Sequence, residues 1–538
     1  MEVLRTYQWK AIKAHEKTNC VVMFIKSKRR IFLIHTQNDL KVVIIFIKEA
    51  EEWASEWDNK AKQKDFVKPT FFGIPISLKE CVPLAGYDQT RGFVQDVNSP
   101  TKIDSVLVEQ VKKLGTTSNY LDVTRTPGGS SGGEAALIAA GGSIIGIGGD
   151  VGGSIRIPCH FTGIAGIKPS HLRFSHRGVC GSVPGRPLIN SSDGPMTRDI
   201  KTTIDFLREV WRDNWISAQD PYVPPVIWNE HLYTKGNVFR IGFYVDDGWF
   251  TPIPAIQVWR DNWISAQDPY VPPVIWNEHL YTKGNVFRIG FYVDDGWFTP
   301  IPAIQRSVLE SKKHLEAAGH IVIPFQPPSI PITMRYFLRA VTVDGGHFLL
   351  NKLFNDIIDP TLYGQVMMLM VPIRLQRLLA YPFKFVFPRL ANLMHSMAMD
   401  TSDLRQTYAD IEDYRHDFIK LMREKNLDAI LCPPQVMVAP QHHVPSRLFS
   451  ACSYTALFNL LDFGAGVVKV TNVTEDDEQK MLNDYPETDL WYKMVKNTCK
   501  NCIGYPVGVQ VAAPPYKEEV VLRILRDIEI AVEEKSGC

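Results

Sequence analysis

The sequence has no excess of charge of either sign. Its 538 residues include 59 lysines and arginines against 58 aspartates and glutamates, which gives a formal net charge of +1. A nucleic-acid-binding surface spread over the whole protein would need a basic excess, so we expect no nucleic-acid partner. Apolar residues at 45% and charged residues at 22% exclude a wholly disordered or collagen-like chain. The length allows one large α/β domain or two to three ordinary ones.

The cysteines do not form a disulfide pattern. Nine of them are scattered along the chain, and an odd, scattered set suits reduced thiols better than bridges. Cys499 and Cys502 form a lone C-x-x-C with no second pair, so we predict no zinc site.

Long apolar runs are also missing. The most apolar N-terminal stretch, residues 31–47, is interrupted by polar residues at 37–39 and 41, short of the roughly 18 to 20 residues that span a membrane. The first residues do not read as a signal peptide. We therefore expect neither a transmembrane helix nor a leader in this chain.

One segment of the chain is present twice. Residues 210–257 recur without a change as residues 258–305, and the two 48-residue copies abut. Repeat architectures usually need three or more units that have diverged, so we interpret the pair as a duplication. We expect one copy to sit in the fold and the other to loop out. Residues 27–48 look like an insertion of another kind.

Predicted strands alternate with predicted helices, which indicates the α/β class. Residues 72–79 read as a buried strand, residues 143–147 and 427–431 as two more, and residues 508–513 as another. Helices are predicted at residues 134–140, 306–318 and 518–533. A further helix at residues 403–424 has Ser402 as its predicted N-cap.

A glycine-dense region at residues 128–154 invites nucleotide-binding interpretations that its details exclude. It holds 11 glycines, but the run G-G-S-S-G-G-E at 128–134 lacks the lysine of a phosphate loop. In G-I-G-G-D-V at 146–151, Val151 stands where a dinucleotide fingerprint needs its third glycine.

The same region can instead hold a serine nucleophile. Ser154 directly follows two glycines, whose flexible backbone lets successive N–H groups converge on one point, as an oxyanion hole requires. A serine also needs a base. No histidine lies inside the glycine motifs, and His160 and His176 have no patterned surroundings. Lys79, at the end of an apolar strand, is the other candidate, because burial disfavours the charged form of a lysine.

Together these motifs resemble the amidase signature family. The match runs through residues 127–168, P-G-G-S-S-G-G-E to D-V-G-G-S-I-R-I-P and G-I-A-G-I-K, with G-I-P-I-S-L-K-E upstream. Runs at residues 315–325, 461–468 and 504–511 are similar to the fatty-acid amide hydrolase branch. The resemblance implies a single amidase domain over residues 1–538, with a large twisted, mostly parallel or mixed central sheet covered by helices on both faces.

The resemblance also implies a site. Ser154 would be the nucleophile, Ser130 the bridging serine and Lys79 the base of a Ser–cis-Ser–Lys triad. The N–H groups of residues 151–154, which are Val151, Gly152, Gly153 and Ser154, would form the oxyanion hole. Ser131 and Arg156 would brace the loops. The implied reaction cleaves a fatty-acid amide to a fatty acid and an amine through an acyl-enzyme, with no metal or organic cofactor.

Residues 367–397 carry a separate signal. They mix large apolar residues with four cations and no acid, a composition found in membrane interfaces as well as in core helical hairpins. The four cations are Arg374, Arg377, Lys384 and Arg389. The resemblance favours a membrane-binding cap here, and implies an intracellular protein, peripheral on endomembranes, that forms a homodimer.

The resemblance is interrupted before Pro127, where the family has a longer segment than residues 116–126 provide. Two alternatives therefore stay open. One is an aminoacyl-tRNA amidotransferase-like subunit, against which the apolar, basic stretch speaks. The other is a catalytically inactive lipid-binding homologue.

Overall fold

The computed structural model describes residues 10, 55–56, 58–59, 61–63, 76–78, 125–176, 179, 189–213, 215–220, 222–228, 286–354, 362–441 and 444–536. The predicted insertion at residues 27–48 and the predicted base Lys79 lie outside these residues.

The described strands form one nine-stranded mixed sheet. They are β1 (Ile76–Leu78), β2 (Ile145–Asp150), β3 (Ala165–Lys168), β4 (Ser192–Thr197), β5 (Arg288–Phe291), β6 (Ile321–Pro324), β7 (Ala429–Cys432), β8 (Gly464–Asn472) and β9 (Pro506–Ala513). Their order is β1-β2-β4-β3-β8-β9-β7-β5-β6. β1 runs parallel to β2, and β5 runs parallel to β6 and β7. The other five neighbouring pairs are antiparallel, so the sheet is mixed as expected, with antiparallel pairs in the majority.

Helices follow in chain order between and after the strands. The first eight are α1 (Gly132–Ala139), α2 (Arg156–Thr162), α3 (Ile200–Val210), α4 (Trp215–Gln219), α5 (Pro302–Ala317), α6 (Ile330–Val341), α7 (His347–Phe354) and α8 (Tyr363–Met370). The others are α9 (Ile373–Val386), α10 (Pro388–Met394), α11 (Thr401–Glu424), α12 (Val444–Arg447), α13 (Ser453–Leu460), α14 (Glu475–Asp484), α15 (Leu490–Thr498) and α16 (Glu518–Ser536).

Both faces of the sheet are covered, as β7 shows. Ala429 and Leu431 join one buried apolar cluster, while Ile430 and Cys432 join another. Successive residues of a strand point to opposite faces, so the two clusters lie on the two sides of the sheet. α16 contributes Val521, Leu522 and Leu525 to the first cluster, and α11 contributes Phe418 to the second. The expected covering of both faces is therefore confirmed.

The end of α5 and the start of α11 can be compared with the ends predicted from the sequence. Gly319 has φ +92° and follows α5, and His320 N–H donates to Leu315 O at 2.9 Å, the Schellman geometry that a glycine at this position favours. The predicted helix end is thus confirmed. The predicted N-cap of α11 is wrong, because Asp400 rather than Ser402 accepts the hydrogen bond from Asp403 N–H, and the helix begins two residues earlier than predicted.

The duplicated segment enters the described structure in two halves. The front of the first copy, residues 210–228, continues α3 and packs Trp211 and Trp228 into the core, with their rings stacked 6.5 Å apart. The back of the second copy, residues 286–305, forms β5 and the start of α5. Residues 229–285 lie outside the described residues, so the looping out of a surplus copy stays a prediction.

Candidate functional site

Ser154 lies in the turn between β2, which ends at Asp150, and α2, which begins at Arg156. It is half-buried. The turn needs its glycines: Gly153 has φ +123°, and a Cβ added there would lie 2.4 Å from Thr455 Oγ1. A Cβ at Gly152 would lie 2.8 Å from Phe337 Cζ. A side chain at Gly153 is therefore opposed by both the backbone conformation and Thr455, and one at Gly152 is opposed by the Phe337 ring.

Asp150 holds this turn from inside. One carboxylate oxygen accepts from Gly153 N–H at 2.8 Å, and the other accepts from Ile155 N–H at 3.0 Å. Burial of this carboxyl opposes ionisation, but the Arg156 guanidinium and these donors outweigh it and hold the pKa of Asp150 well below its usual range. Asp150 is therefore an anion that organises the turn.

Arg156 pairs with Asp150 and ties the turn to two distant elements. Its Nε and one terminal nitrogen donate to the two oxygens of Asp150 at 3.0 and 2.9 Å, and both side chains are fully buried. The other nitrogen donates to Thr455 O in α13 and to Gln510 Oε1 in β9. Asn459, also in α13, donates to Asp150 Oδ1 at 3.0 Å. The predicted bracing role of Arg156 is confirmed.

The second serine loop lies against the first. Ser131 N–H donates to Ser154 O at 3.1 Å, which places the adjacent Ser130 beside the Ser154 turn. The Gly129–Ser130 peptide is cis, and Ser130 is exposed. The Ser131 hydroxyl is buried and lies 3.3 Å from both the N–H and the carbonyl oxygen of Gly149. Ser131 thus braces β2, as predicted.

The structure describes the strand that precedes the predicted base, Lys79, but does not describe Lys79. β1 pairs with β2 in parallel, with Leu78 opposite Ile147, three residues before Asp150. Lys79 directly follows β1 in the sequence and lies outside the described residues. Its role stays a prediction.

His160, the histidine of α2, does not supply a base. His160 is buried in α2, where its Nδ1 accepts from Gly508 N–H at 3.1 Å and its Nε2 lies 3.2 Å from Met437 O. Both ring nitrogens are occupied by backbone groups, and burial lowers the pKa of His160 to about 4. His176 lies 3.9 Å from Asp193 Oδ2. His160 is therefore a neutral structural residue.

The backbone N–H groups of the turn divide into two sets. Gly153 N–H is donated to Asp150, whereas within the described residues Val151, Gly152 and Ser154 donate no N–H to a partner. Backbone N–H groups that have no protein acceptor can stabilise an anion. The sequence offered no sign of Thr455 or Phe337, because both come from helices about 180 to 300 residues away in the chain.

A surface of large apolar side chains forms on α7, α8 and α9; we call it the apolar patch. Its members are Phe354, Tyr363, Met367, Met370, Leu375, Leu378, Leu379, Tyr381, Phe383 and Phe385. Leu378 is 69% and Phe385 79% exposed. Within the described residues, no helix is both long and apolar enough to cross a membrane.

The four cations of this region have two different roles. Arg374 and Lys384 are exposed beside the apolar patch. Arg377 donates to Asp403 at 2.6 Å, and Arg389 pairs with Asp489 and stacks on Phe298. Two cations are thus available to a surface partner and two hold helices in place.

Comparison with known proteins gives consistent matches. A family model described as Amidase matches residues 29–118, 114–259 and 257–522. Fatty acid amide hydrolase 1 of Caenorhabditis elegans is 50% identical over 560 residues, covering 99% of this chain and 86% of the relative. Fatty-acid amide hydrolase 1 of Sus scrofa is 35% identical over 491 residues, covering 85% and 75%. A solved structure of fatty acid amide hydrolase aligns with a TM-score of 0.71 at 21% identity, covering 98% of this chain and 81% of that one.

The family model matches in three segments, and successive segments overlap by a few residues. One overlap, at residues 114–118, reaches into the short segment before Pro127, and the other, at residues 257–259, contains the junction of the two copies.

Proposed function

The chain belongs to the amidase family and is an amide C–N hydrolase, and from this premise we propose that it cleaves fatty-acid amides to a fatty acid and an amine. One observation carries the catalytic part of the proposal: Ser131 N–H donates to Ser154 O, so two serine loops that are 24 residues apart in the chain meet at one site. The curated relatives named above supply the substrate class.

The proposed first step forms an acyl-enzyme. Ser154 Oγ attacks the amide carbon while its proton passes through Ser130 to a neutral Lys79. The tetrahedral intermediate then breaks its C–N bond, and the proton returns through Ser130 to the departing amine. Water hydrolyses the ester at Ser154 by the same relay, releasing the fatty acid and restoring the serine.

The oxyanion that forms in each step needs donors. We assign this role within residues 151–154 to Val151, Gly152 and Ser154, whose N–H groups lack a partner among the described residues. Gly153 contributes its conformation, because its N–H is donated to Asp150.

The lipid side of the proposal rests on the apolar patch, which is larger than scattered surface apolar residues would make. Helices with apolar side chains beside cations lie in membrane interfaces, so we propose that α8 and α9 dock on a membrane surface. An amidotransferase subunit that acts on aminoacyl-tRNA would not need this surface. Peripheral location on endomembranes and a homodimer stay predictions from the resemblance.

The test is covalent labelling with a fluorophosphonate probe, together with hydrolysis of a long-chain fatty-acid amide. Ser154→Ala should abolish labelling and lower the turnover rate by at least about 10⁴-fold. Ser311→Ala removes a buried hydroxyl that, among the described residues, donates to Ser307 O in α5, and it should label like the wild type. Labelling that persists in Ser154→Ala would contradict the assignment. A wild-type chain that binds vesicles but neither labels nor hydrolyses the amide would favour the inactive lipid-binding alternative.

A further inference from the structure

The peptide between Gly152 and Gly153 is held at both of its polar ends. Thr455 Oγ1 donates to Gly152 O at 2.7 Å, and Gly153 N–H donates to Asp150 Oδ1 at 2.8 Å. A trans peptide is planar and its C=O and N–H point in opposite directions, so two such bonds fix its rotation. Two consecutive glycines would otherwise leave this peptide free to turn.

The rotation of this peptide matters for its neighbours. The N–H of Gly152 precedes it and the N–H of Ser154 follows it, and both groups belong to the proposed oxyanion hole. If the peptide turned over, Gly152 O would move away from Thr455 and the adjoining N–H groups would be re-aimed. A carbonyl oxygen facing a developing oxyanion would raise the energy of the transition state.

We propose that Thr455 is a positioning residue for the oxyanion hole: its hydroxyl holds Gly152 O and thereby aims the N–H groups of Gly152 and Ser154. The inference rests on the proposed function, since it assumes that residues 151–154 bind the oxyanion. Thr455 acts through the backbone of the turn.

The surroundings of Thr455 are built for this role. Its own carbonyl accepts from Arg156 at 3.0 Å, so the start of α13 is fixed to the same ion pair that holds the turn. Asn459, one helical turn later, donates to Asp150. The Thr455 hydroxyl has one hydrogen to donate. Its other possible acceptor, Cys452 O, lies at 3.0 Å, farther than Gly152 O at 2.7 Å.

Phe337 closes the other side of the turn. Phe337 is a buried residue of α6, and its ring lies against Gly152. A Cβ added to Gly152 would lie 2.8 Å from Cζ of this ring. Residue 152 is therefore held by a hydrogen bond on its carbonyl and by an aromatic ring against its Cα. The ring limits displacement, while the Thr455 hydroxyl is the group that bonds the carbonyl itself.

Thr455→Val and Thr455→Ser test the inference together. Valine keeps the shape and removes the donor; serine keeps the donor. We expect Thr455→Val to lower kcat for a fatty-acid amide by about 10- to 100-fold with KM changed less than about twofold, somewhat less than the effect of deleting an oxyanion donor. Its affinity for a trifluoromethyl ketone, which forms an oxyanion on Ser154, should fall by a similar factor. Thr455→Ser should recover kcat to within about threefold of the wild type.

The control is Thr203→Val in α3, which makes the same change at a buried threonine whose hydroxyl bonds Thr197. It should leave kcat and ketone affinity unchanged. Wild-type kcat in Thr455→Val, or equal losses in the valine and serine variants, would overturn the inference while leaving the proposed function intact. A wild-type chain with no hydrolysis and no labelling at Ser154 would overturn both.

Discussion

The turn that carries Ser154 is held by residues from both near and distant parts of the chain. Asp150 and Arg156 come from the same β–turn–α unit, while Thr455 and Gln510 come from the C-terminal third. A fully buried ion pair is costly to form, and this one is stabilised because hydrogen bonds satisfy the remaining donors of the guanidinium. The pair stabilises one conformation of the turn, which is what an oxyanion hole needs.

His160 offers a residue-scale prediction about pH. The folded-state pKa of about 4 lies below the ordinary value near 6.5, so between these pH values the unfolded chain binds a proton that the folded chain does not. The free energy of unfolding should therefore fall as the pH is lowered from 6.5 to 4. The contribution that His160 makes to this free energy is fully present above pH 6.5. His160 contributes at most about 1.4 kcal/mol per pH unit to that slope. His171 has a lowered pKa for the same first reason, burial, so both residues contribute.

The measurement is urea unfolding of the wild type and His160→Gln at several pH values. The variant should show a shallower slope between pH 4 and 6.5. Probe labelling at Ser154 should persist at neutral pH, since the partners of His160 in the described part of the chain are backbone groups. Loss of labelling in a folded His160→Gln would contradict the structural role.

At the scale of elements, α9 is held to the body of the protein by its polar face. Arg377 in α9 and Arg339 in α6 donate to the two carboxylate oxygens of Asp403 in α11. α6 also carries Phe337, which packs against Gly152. α9 is thus fixed relative to the turn that carries Ser154, while its opposite face is left exposed.

The exposed face gives an element-scale prediction. Leu378→Glu should lower partition into phosphatidylcholine vesicles by about tenfold or more, because inserting a leucine side chain is worth about 2 kcal/mol and a carboxylate opposes insertion. Co-sedimentation measures the effect. Leu309→Glu in α5 changes another leucine that is 44% exposed, outside the apolar patch, and should bind like the wild type. Equal binding by Leu378→Glu and the wild type would contradict docking through α9.

At the scale of the whole molecule, the duplication is the unusual feature. Because the copies are identical, removing any 48 consecutive residues from the doubled block gives the same chain of 490 residues, 538 minus 48. That chain still contains every sequence that the described structure uses, the front of one copy after α3 and the back of one copy before α5.

We predict that the 490-residue chain unfolds cooperatively at a Tm no lower than that of the full chain, since it shortens the connection between residues 228 and 286, and a shorter connection costs less entropy to close. Differential scanning calorimetry measures this, with probe labelling of Ser154 as the check on the site. A lower Tm or a lost transition would show that the 48 removed residues contribute to the stability of the core.

The helices and strands and their order could be predicted from the sequence, because the hydrophobic periodicity and the capping residues that indicate them are local patterns, each contained within a few neighbouring residues. The helix ending at Gly319 follows from one glycine, and the strands around residues 145 and 430 follow from short apolar runs. The N-cap of α11 was missed because Asp400, Thr401 and Ser402 are three adjacent candidates, and only the backbone course selects among them.

The sequence by itself supplied the two serine motifs, the strand that leads to Lys79 and the exclusion of nucleotide loops, and the proposed chemistry starts from these features. Only the tertiary structure decided what surrounds Ser154. Hydrogen bonds from Thr455 and Asn459 join positions about 300 residues apart, and no local pattern encodes such a pairing. The tertiary structure also places the front of the first copy beside α3, and the back of the second copy in β5 and the start of α5. Identical sequences have identical local propensities, so the chain connections to α3 and to the rest of α5 determine these two positions.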